Sequence, residues 1–130
     1  MTWPHHLLTL DEWDALPEET EFQLEIVDGV LIVSPRPMFS HQLAVAQLNS
    51  RLNGQLPAQF AAVIEGELVI AERPLTVRAP DVIVTSTAFA EGNPARGRPA
   101  DVLLAVEADT SRSASAPASR RSISTVCQSP

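Results

Sequence analysis

The sequence predicts a single domain of the α/β (α+β) class, in which helices flank a β-sheet. Three observations predict it: an alternating apolar pattern interrupted by Asp28-Gly29, an apolar stripe of helical period between residues 43 and 52, and several short β-branched runs after residue 60. The 130 residues, of which 45% are apolar, suffice for one modest core. A second domain is therefore not expected.

The first 35 residues predict a short helix followed by a β-hairpin. Thr9 and Glu12 have the spacing of a capping box, and Pro17 limits the helix that they begin. Asp28-Gly29 separates two apolar runs, and an Asp-Gly pair in this position is the strongest short-range signal for a hairpin. We expect Trp13 to pack the short helix on the sheet.

A long helix is predicted next, with Ser40 as its cap and Gly54 at its end. Strands are predicted at residues 60–64, 68–71, 75–77, 82–85 and 101–107, and a loop at 91–99. Glu65-Gly66-Glu67 is interpreted either as a turn or as a bulge in one long strand. The nearly continuous apolar run before Glu107 predicts burial of the last strand on both faces.

The composition changes after residue 109. Residues 110–130 are rich in serine, alanine and arginine without a hydrophobic period, which predicts a disordered tail behind a domain of residues 7–109. Cys127 has no second cysteine with which to form a disulfide, which favours a reducing cytosol. No apolar run approaches the roughly 18 residues needed to cross a bilayer, so we expect a cytoplasmic protein without membrane association.

The charge is strongly acidic and unevenly distributed. The net charge is −7, and residues 1–110 contain all sixteen acidic residues but only six arginines. Such a surface repels a polyanion unless cations or local arginines intervene. General affinity for nucleic acid is therefore not predicted.

Two acidic residues stand beside apolar runs: Asp81 in Pro80-Asp81-Val82-Ile83-Val84, and Glu107 after residues 102–106. Carboxylates on neighbouring strands can converge, because paired strands lie only about 5 Å apart, and Mg²⁺ prefers oxygen ligands. The pattern indicates a metal-dependent phosphodiesterase site. Each acid also has a plainer interpretation, as a turn residue after proline for Asp81 and as a solvated strand end for Glu107.

These fragments occur in an order that resembles a known family. Residues 22–31, 34–37 with 40–42, 77–82 and 101–107 are together similar to the bacterial Uma-type restriction endonucleases, a branch of the PD-(D/E)XK nuclease superfamily. The resemblance implies a restriction-endonuclease-like core with a mixed sheet. It also implies DNA as the substrate and Mg²⁺ or Mn²⁺ as the cofactor.

The resemblance also implies roles for individual residues. Asp81 corresponds to the central metal-binding aspartate, Glu107 to its acidic partner, and Glu25 to a third acid that completes the catalytic cluster. Glu25 alternates with apolar neighbours, so a solvated strand residue is the competing interpretation. His41 corresponds to a histidine at the start of the long helix, and its role is left open.

The ending departs from the family pattern. The family continues through a helix that carries a lysine, whereas these 130 residues contain no lysine, so the C-terminal part is interpreted as incomplete. Arg120 and Arg121 offer charge, but arginine cannot act as a base at neutral pH. Three functions fit: an active endonuclease, a catalytically inactive relic of that fold, and an acidic protein-interaction domain. A homodimer is compatible with each.

Overall fold

The computed structural model describes residues 5–109 and the backbone of residues 123–126. Within them the elements follow in this order: α1 (Leu10–Asp14), β1 (Phe22–Val27), β2 (Val30–Pro35), α2 (Phe39–Gln55), β3 (Phe60–Ile64), β4 (Leu68–Glu72), β5 (Leu75–Arg78), β6 (Val82–Ser86), α3 (Thr87–Glu91), a 3-10 turn (Pro99–Asp101), β7 (Val102–Ala108) and β8 (Ile123–Val126). This arrangement confirms the α+β class.

The strands form two four-stranded sheets. The hairpin sheet has the order β2-β1-β5-β4, and the terminal sheet has the order β3-β6-β7-β8. Every pair of neighbouring strands is antiparallel, and the one parallel contact is an isolated bridge between Leu68 and Gly97. The predicted single mixed sheet is therefore wrong in this detail, because the chain divides its strands between two antiparallel sheets.

The β1–β2 hairpin forms as predicted. Its two-residue turn has positive φ at both positions, 51° at Asp28 and 81° at Gly29. This is the type I′ geometry, whose twist matches that of the flanking strands. A Cβ atom on Gly29 would lie 2.9 Å from the Leu7 Cβ atom, so glycine is also needed for close packing.

Each sheet has its own buried cluster. Leu10 and Trp13 of α1 pack against the cluster of the hairpin sheet. Trp13 therefore packs its helix on the sheet, as predicted. In the terminal sheet the cluster includes Val45 of α2. The buried members are Leu8, Ile26, Val69, Leu75 and Val77 in the hairpin sheet, and Val45, Ala62, Val82, Val84 and Val106 in the terminal sheet.

Two short segments carry the chain between the sheets. Residues 65–67 lead from β3 to β4, so the interpretation as a bulge in one long strand is wrong. Glu65 has a φ of 54° there, and a Cβ on Gly66 would approach the Ile83 Cδ1 atom to 2.7 Å. Residues 79–81 return the chain from β5 to β6. The second crossing places Asp81 where the two sheets meet.

Several element boundaries differ from the sequence prediction. Met38, and not Ser40, is the N-cap of α2, and its side chain makes no capping hydrogen bond. The predicted capping box of Thr9 and Glu12 is confirmed at α1. Helix α3 was not predicted; it begins after Ser86, whose side-chain oxygen accepts a hydrogen bond from the Phe89 N–H group.

The C-terminal strands also differ from expectation. Burial of β7 on both faces is wrong, because Leu103 is 47% exposed and Val106 is its one fully buried residue. Within the tail predicted to be disordered, Ile123–Val126 instead forms β8 and pairs with β7. Strand pairing is open to these residues because β7 offers them an edge. The other tail residues, 110–122 and 127–130, lie outside the described part, and the domain boundary at 109 remains a prediction.

Candidate functional site

Asp81 and Glu107 lie side by side at one end of the terminal sheet. Val82 of β6 pairs with Val106 of β7 in an antiparallel ladder, so the next residues outward, Asp81 and Glu107, face each other. The negative charge of Asp81 acts directly on the Glu107 carboxyl. Two acids that are 26 positions apart in the chain are thus placed opposite each other by strand pairing.

Both carboxylate oxygens of Asp81 have partners. Oδ1 lies 3.0 Å from Nε2 of His41 in the first turn of α2. Oδ2 accepts a hydrogen bond of 2.7 Å from the backbone N–H group of Ala108. Helix α2 and strand β7 therefore hold the Asp81 carboxylate from two directions.

Glu25 reaches the same place from the hairpin sheet. Its Oε2 atom accepts a hydrogen bond from the Ala79 N–H group and pairs with Nε of Arg78, both at 3.0 Å. Arg78 ends β5, directly before the segment that crosses to Asp81. The Arg78 guanidinium is the positive charge that the hairpin sheet contributes to the acidic cluster, which consists of Asp81, Glu107 and Glu25.

Glu107 has a raised pKa, at about 7 instead of its usual 4.5. The largest cause is partial burial, which penalises the charged carboxylate. The negative charges of Asp81 and Glu25 raise the pKa further, and the positive charge of Arg78 opposes them. Asp81, Glu25 and Glu107 thus lie close enough for their negative charges to repel one another.

Two cavities flank the cluster. Glu25 and Asp81 line a cleft of about 420 Å³, whose wall also carries Trp13 and Glu67. The Trp13 indole donates to Glu67 Oε1 at 3.0 Å. Glu107 lines a second cavity of about 290 Å³ among mainly apolar residues. Glu107 therefore has the drier surroundings, in agreement with its raised pKa.

The acidic cluster suits a small hard cation in its chemistry. Mg²⁺ is typically bound through one or two carboxylates and keeps several of its waters, so Asp81 and Glu107 provide the required donor type and number. Their mutual repulsion would be relieved by a divalent charge. Within residues 5–109, no three His, Cys, Asp or Glu side chains are arranged to hold an ion. An ion held by Asp81 and Glu107 would therefore need water or backbone oxygen as its further ligands.

The structure brings together all three acids that the sequence singled out. It adds two residues whose contacts sequence reasoning did not predict: His41, which touches Asp81, and Arg78, which pairs with Glu25. The sequence places His41 at the start of the long helix, but helical spacing cannot show that this turn faces Asp81. Arg78 was visible only as the residue three positions before Asp81.

Comparison with known proteins identifies the family. A family model for Uma2, putative restriction endonuclease, matches residues 10–117, which is more than half of the chain. No curated protein and no solved structure matches it. In the described part, no helix is both long enough and apolar enough to span a membrane. The matched segment contains Asp81, Glu107, Glu25 and His41, and the chain belongs to the Uma2 family of putative restriction endonucleases.

Proposed function

We propose that this protein is a DNA endonuclease that hydrolyses phosphodiester bonds with the help of Mg²⁺ or Mn²⁺. The observation that supports it most is the convergence of Asp81, Glu107 and Glu25 where the two sheets meet. Family membership gives this cluster a reaction class. Asp81 and Glu107 are the proposed metal ligands, and Glu25 is the proposed assisting acid.

When bound, the divalent ion supplies a Lewis acid that polarises the phosphoryl oxygen and lowers the pKa of a water. The protein contributes the positioning of the ligands. His41 and the Ala108 N–H group fix the Asp81 carboxylate, so its orientation does not have to be acquired during the reaction. Glu107 must lose its proton to become a ligand, which makes binding weaker below pH 7.

Arg78 is the cation that we assign to the site in a sequence that contains no lysine. Its guanidinium pairs with Glu25 and lowers the pKa of Glu107. Arginine remains protonated at neutral pH, so Arg78 can balance negative charge or contact a phosphate but cannot activate water as a base. The proton from water must therefore pass to another group of the site, such as one of the acids or His41, or to a second water.

The acidic surface determines how DNA is held. With sixteen acids against nine arginines, the chain does not attract a polyanion by its overall charge. Contacts with phosphate must therefore be local and must depend on the bound cation. We expect DNA binding to require the divalent ion, in contrast to a basic nuclease that binds DNA without it.

A nicking assay on supercoiled plasmid tests this proposal. Wild-type protein with Mn²⁺ or Mg²⁺ should convert the plasmid to its nicked form, while Asp81→Ala and Glu107→Gln should not. Glu91→Gln is the matched control, because Glu91 is an exposed glutamate outside the cluster. Nicking that persists in Asp81→Ala, or that does not require a divalent ion, would overturn the assignment.

Calorimetric titration with Mn²⁺ separates the remaining functions. Saturable binding that is lost in Asp81→Ala, together with nicking, supports the endonuclease. Saturable binding without nicking of any plasmid or single-stranded substrate overturns the enzyme in favour of a catalytically inactive relic. Absence of saturable binding overturns the metal site itself and favours a protein-interaction domain.

A further inference from the structure

The cleft beside the acidic cluster is large enough for an organic ligand. Its volume of about 420 Å³ lies within the range of about 300 to 1,000 Å³ that is typical of small-molecule sites. Its wall carries Asp81 and Glu25 of the acidic cluster, and it also carries Trp13, Phe22 and Arg36. The proposed metal chemistry uses the two acids and gives no role to the other three residues.

Two aromatic side chains give the cleft a surface on which a flat ring can stack. The Trp13 ring is held in place, because its indole N–H donates to Glu67 Oε1 at 3.0 Å and Glu67 Oε2 lies 3.4 Å from Nε of Arg96. Phe22, the first residue of β1, is 41% exposed. Aromatic side chains of this kind stack with any nucleobase, since every base has a π face. A fixed indole and a partly exposed phenyl ring in one cleft therefore suit an unpaired base.

Arg36 gives the same cleft a positive charge that no carboxylate of the described residues neutralises. Its Nε and Nη2 atoms donate to the backbone carbonyls of Thr20 and Glu19 at 2.9 and 3.2 Å. Three other arginines form ion pairs with carboxylates instead: Arg78, Arg96 and Arg98. Carbonyl groups orient the guanidinium without cancelling its charge, and they leave further N–H groups available to a phosphate oxygen. Arg36 therefore suits a phosphate group.

The acids of the cleft wall are mostly engaged. Of the six acids that line the cleft, five make hydrogen bonds or ion pairs with other described residues: Asp14, Glu19, Glu25, Glu67 and Asp81. Glu65 is the sixth; it is exposed, has a φ of 54° and has no partner among the described residues. A carboxylate of this kind can accept a hydrogen bond from the amino group of a base. The wall is therefore compatible with a nucleotide.

The charge of the chain disfavours a paired duplex as the ligand. Proteins that bind duplex DNA neutralise several phosphates with lysine or arginine. Residues 1–110 contain sixteen acids and six arginines, and three of these arginines are already paired with acids. Stacking contributes affinity for each unpaired base without requiring a basic surface. An unpaired nucleotide can therefore bind through its base, whereas a duplex depends on phosphate contacts that this surface lacks.

We propose that the cleft binds an unpaired nucleotide of the DNA substrate, with its base on Trp13 and Phe22 and its phosphate on Arg36. The inference rests on the proposed nuclease function and narrows its substrate to single-stranded DNA and to duplexes with a flap or an unpaired loop. A fully paired strand must first extrude a base, which costs pairing and stacking energy. Phe22 and Arg36 are thus the residues that select the substrate.

Fluorescence anisotropy with labelled oligonucleotides tests this selection. Ca²⁺, which also takes oxygen ligands, replaces Mg²⁺ so that binding is measured apart from cleavage. We expect single-stranded and flapped oligonucleotides to bind about tenfold or more tightly than the paired duplex of the same sequence. Phe22→Ala should weaken binding of the unpaired DNA by about 5- to 100-fold through lost stacking. Arg36→Gln should weaken it and lower the salt dependence by about one phosphate contact.

Two residues of α2 outside the cleft provide the matched controls. Phe39 is 94% exposed and Arg51 is exposed, and neither lines the cleft. Phe39→Ala and Arg51→Gln should therefore bind unpaired DNA as wild type does. Equal affinity of wild type for the duplex would overturn the proposal. So would losses in the two control variants that match those in Phe22→Ala and Arg36→Gln.

Tryptophan fluorescence tests the cleft without altering its wall, even if Phe22→Ala does not fold. The chain contains two tryptophans, so Trp3→Phe leaves Trp13 as the single emitter. Unpaired oligonucleotide should quench this emission saturably, and the duplex at the same concentration should not. Nicking of plasmid and single-stranded DNA by the same variant is measured separately. Nicking without quenching overturns the cleft and keeps the nuclease, quenching without nicking does the reverse, and absence of both overturns both.

Discussion

The hairpin sheet and the terminal sheet each contribute an acid to the same site, but the two acids have different charged neighbours. Glu25 of the hairpin sheet comes with its own cation, because Arg78 on the neighbouring strand pairs with it at 3.0 Å. Glu107 of the terminal sheet faces another acid, and its pKa rises to about 7. The hairpin sheet therefore supplies a balanced pair, and the terminal sheet supplies the negative charge that a divalent ion could neutralise.

The two sheets also differ at their edges. In the terminal sheet, Asn53 satisfies both outward backbone groups of Ala62. In the hairpin sheet, the outward groups of Leu31 and Val33 have no such cover among the described residues. One edge of the terminal sheet is thus covered by a side chain of the same chain, whereas the outer edge of β2 keeps backbone groups without a partner among the described residues, although both sheets are small and antiparallel.

The largest expected effect separates the acids of the two sheets. Asp81→Ala should lower the metal-dependent nicking rate by roughly three orders of magnitude, because several kcal/mol of transition-state stabilisation depend on the ion. Glu25→Gln should lower it by only about ten- to a hundredfold, since Glu25 assists and its charge is already balanced. Initial rates with saturating Mn²⁺ measure both. An equal loss of nicking rate in the two variants would show that Glu25 and Asp81 contribute equally to catalysis.

A smaller effect concerns the covered edge of the terminal sheet. Asn53→Ala leaves the N–H and C=O groups of Ala62 without partners, and Ala62 is only 4% exposed. We expect the free energy of unfolding in urea to fall by about 1 to 3 kcal/mol. Asn49→Ala is a control on the same helix, because the Asn49 side-chain oxygen is buried without a partner. A smaller loss for Asn53→Ala than for Asn49→Ala would contradict this account of the edge.

The pH dependence of the free energy of unfolding tests the ionisation of Glu107 in the terminal sheet. The Glu107 carboxyl ionises near 4.5 in the unfolded chain but keeps its proton to about 7 in the folded protein. Between these pH values the unfolded state has lost a proton that the folded state still holds, so the free energy of unfolding falls as pH rises. Below pH 4.5 this contribution to stability is fully present, and above pH 7 it is lost.

Glu107→Gln should remove this decline and make the protein more stable than wild type at pH 8, while abolishing nicking. Urea titrations from pH 4 to pH 8 without divalent ions measure the difference between the two proteins. Glu91→Gln serves as the control and should keep the wild-type decline. A Glu107→Gln curve parallel to wild type would show that the carboxyl does not titrate in this range.

The smallest expected effect sharpens the role of Arg78. Arg78→Gln removes the positive charge that lowers the pKa of Glu107, so the Glu107 titration midpoint should move further upward. Carbon-detected NMR of the Glu107 carboxyl measures the midpoint directly. Arg78→Lys should restore most of the wild-type midpoint, since the charge returns without the guanidinium geometry. An unchanged midpoint in Arg78→Gln would mean that solvent already screens the pair.

Local signals predicted the local structure well. The Thr9 capping box, the Asp28-Gly29 hairpin and the long helix α2 depend on neighbours in the chain, and each is confirmed. The division into two sheets was missed, because strand propensity does not specify which strands pair. Burial of β7 on both faces was wrong for a related reason: an apolar run shows what could be buried and does not show what covers it.

The sequence by itself determined the α+β class, the residues of the acidic cluster and the family, because periodicity, turn chemistry and residue type are written along the chain. Only the tertiary structure decided that Asp81 and Glu107 lie opposite each other, that His41 and Arg78 join them, and that the described residues leave the outer β2 edge uncovered. These are contacts between distant positions. They depend on strand register and on the crossing between the sheets, and both are fixed by packing that no single segment encodes.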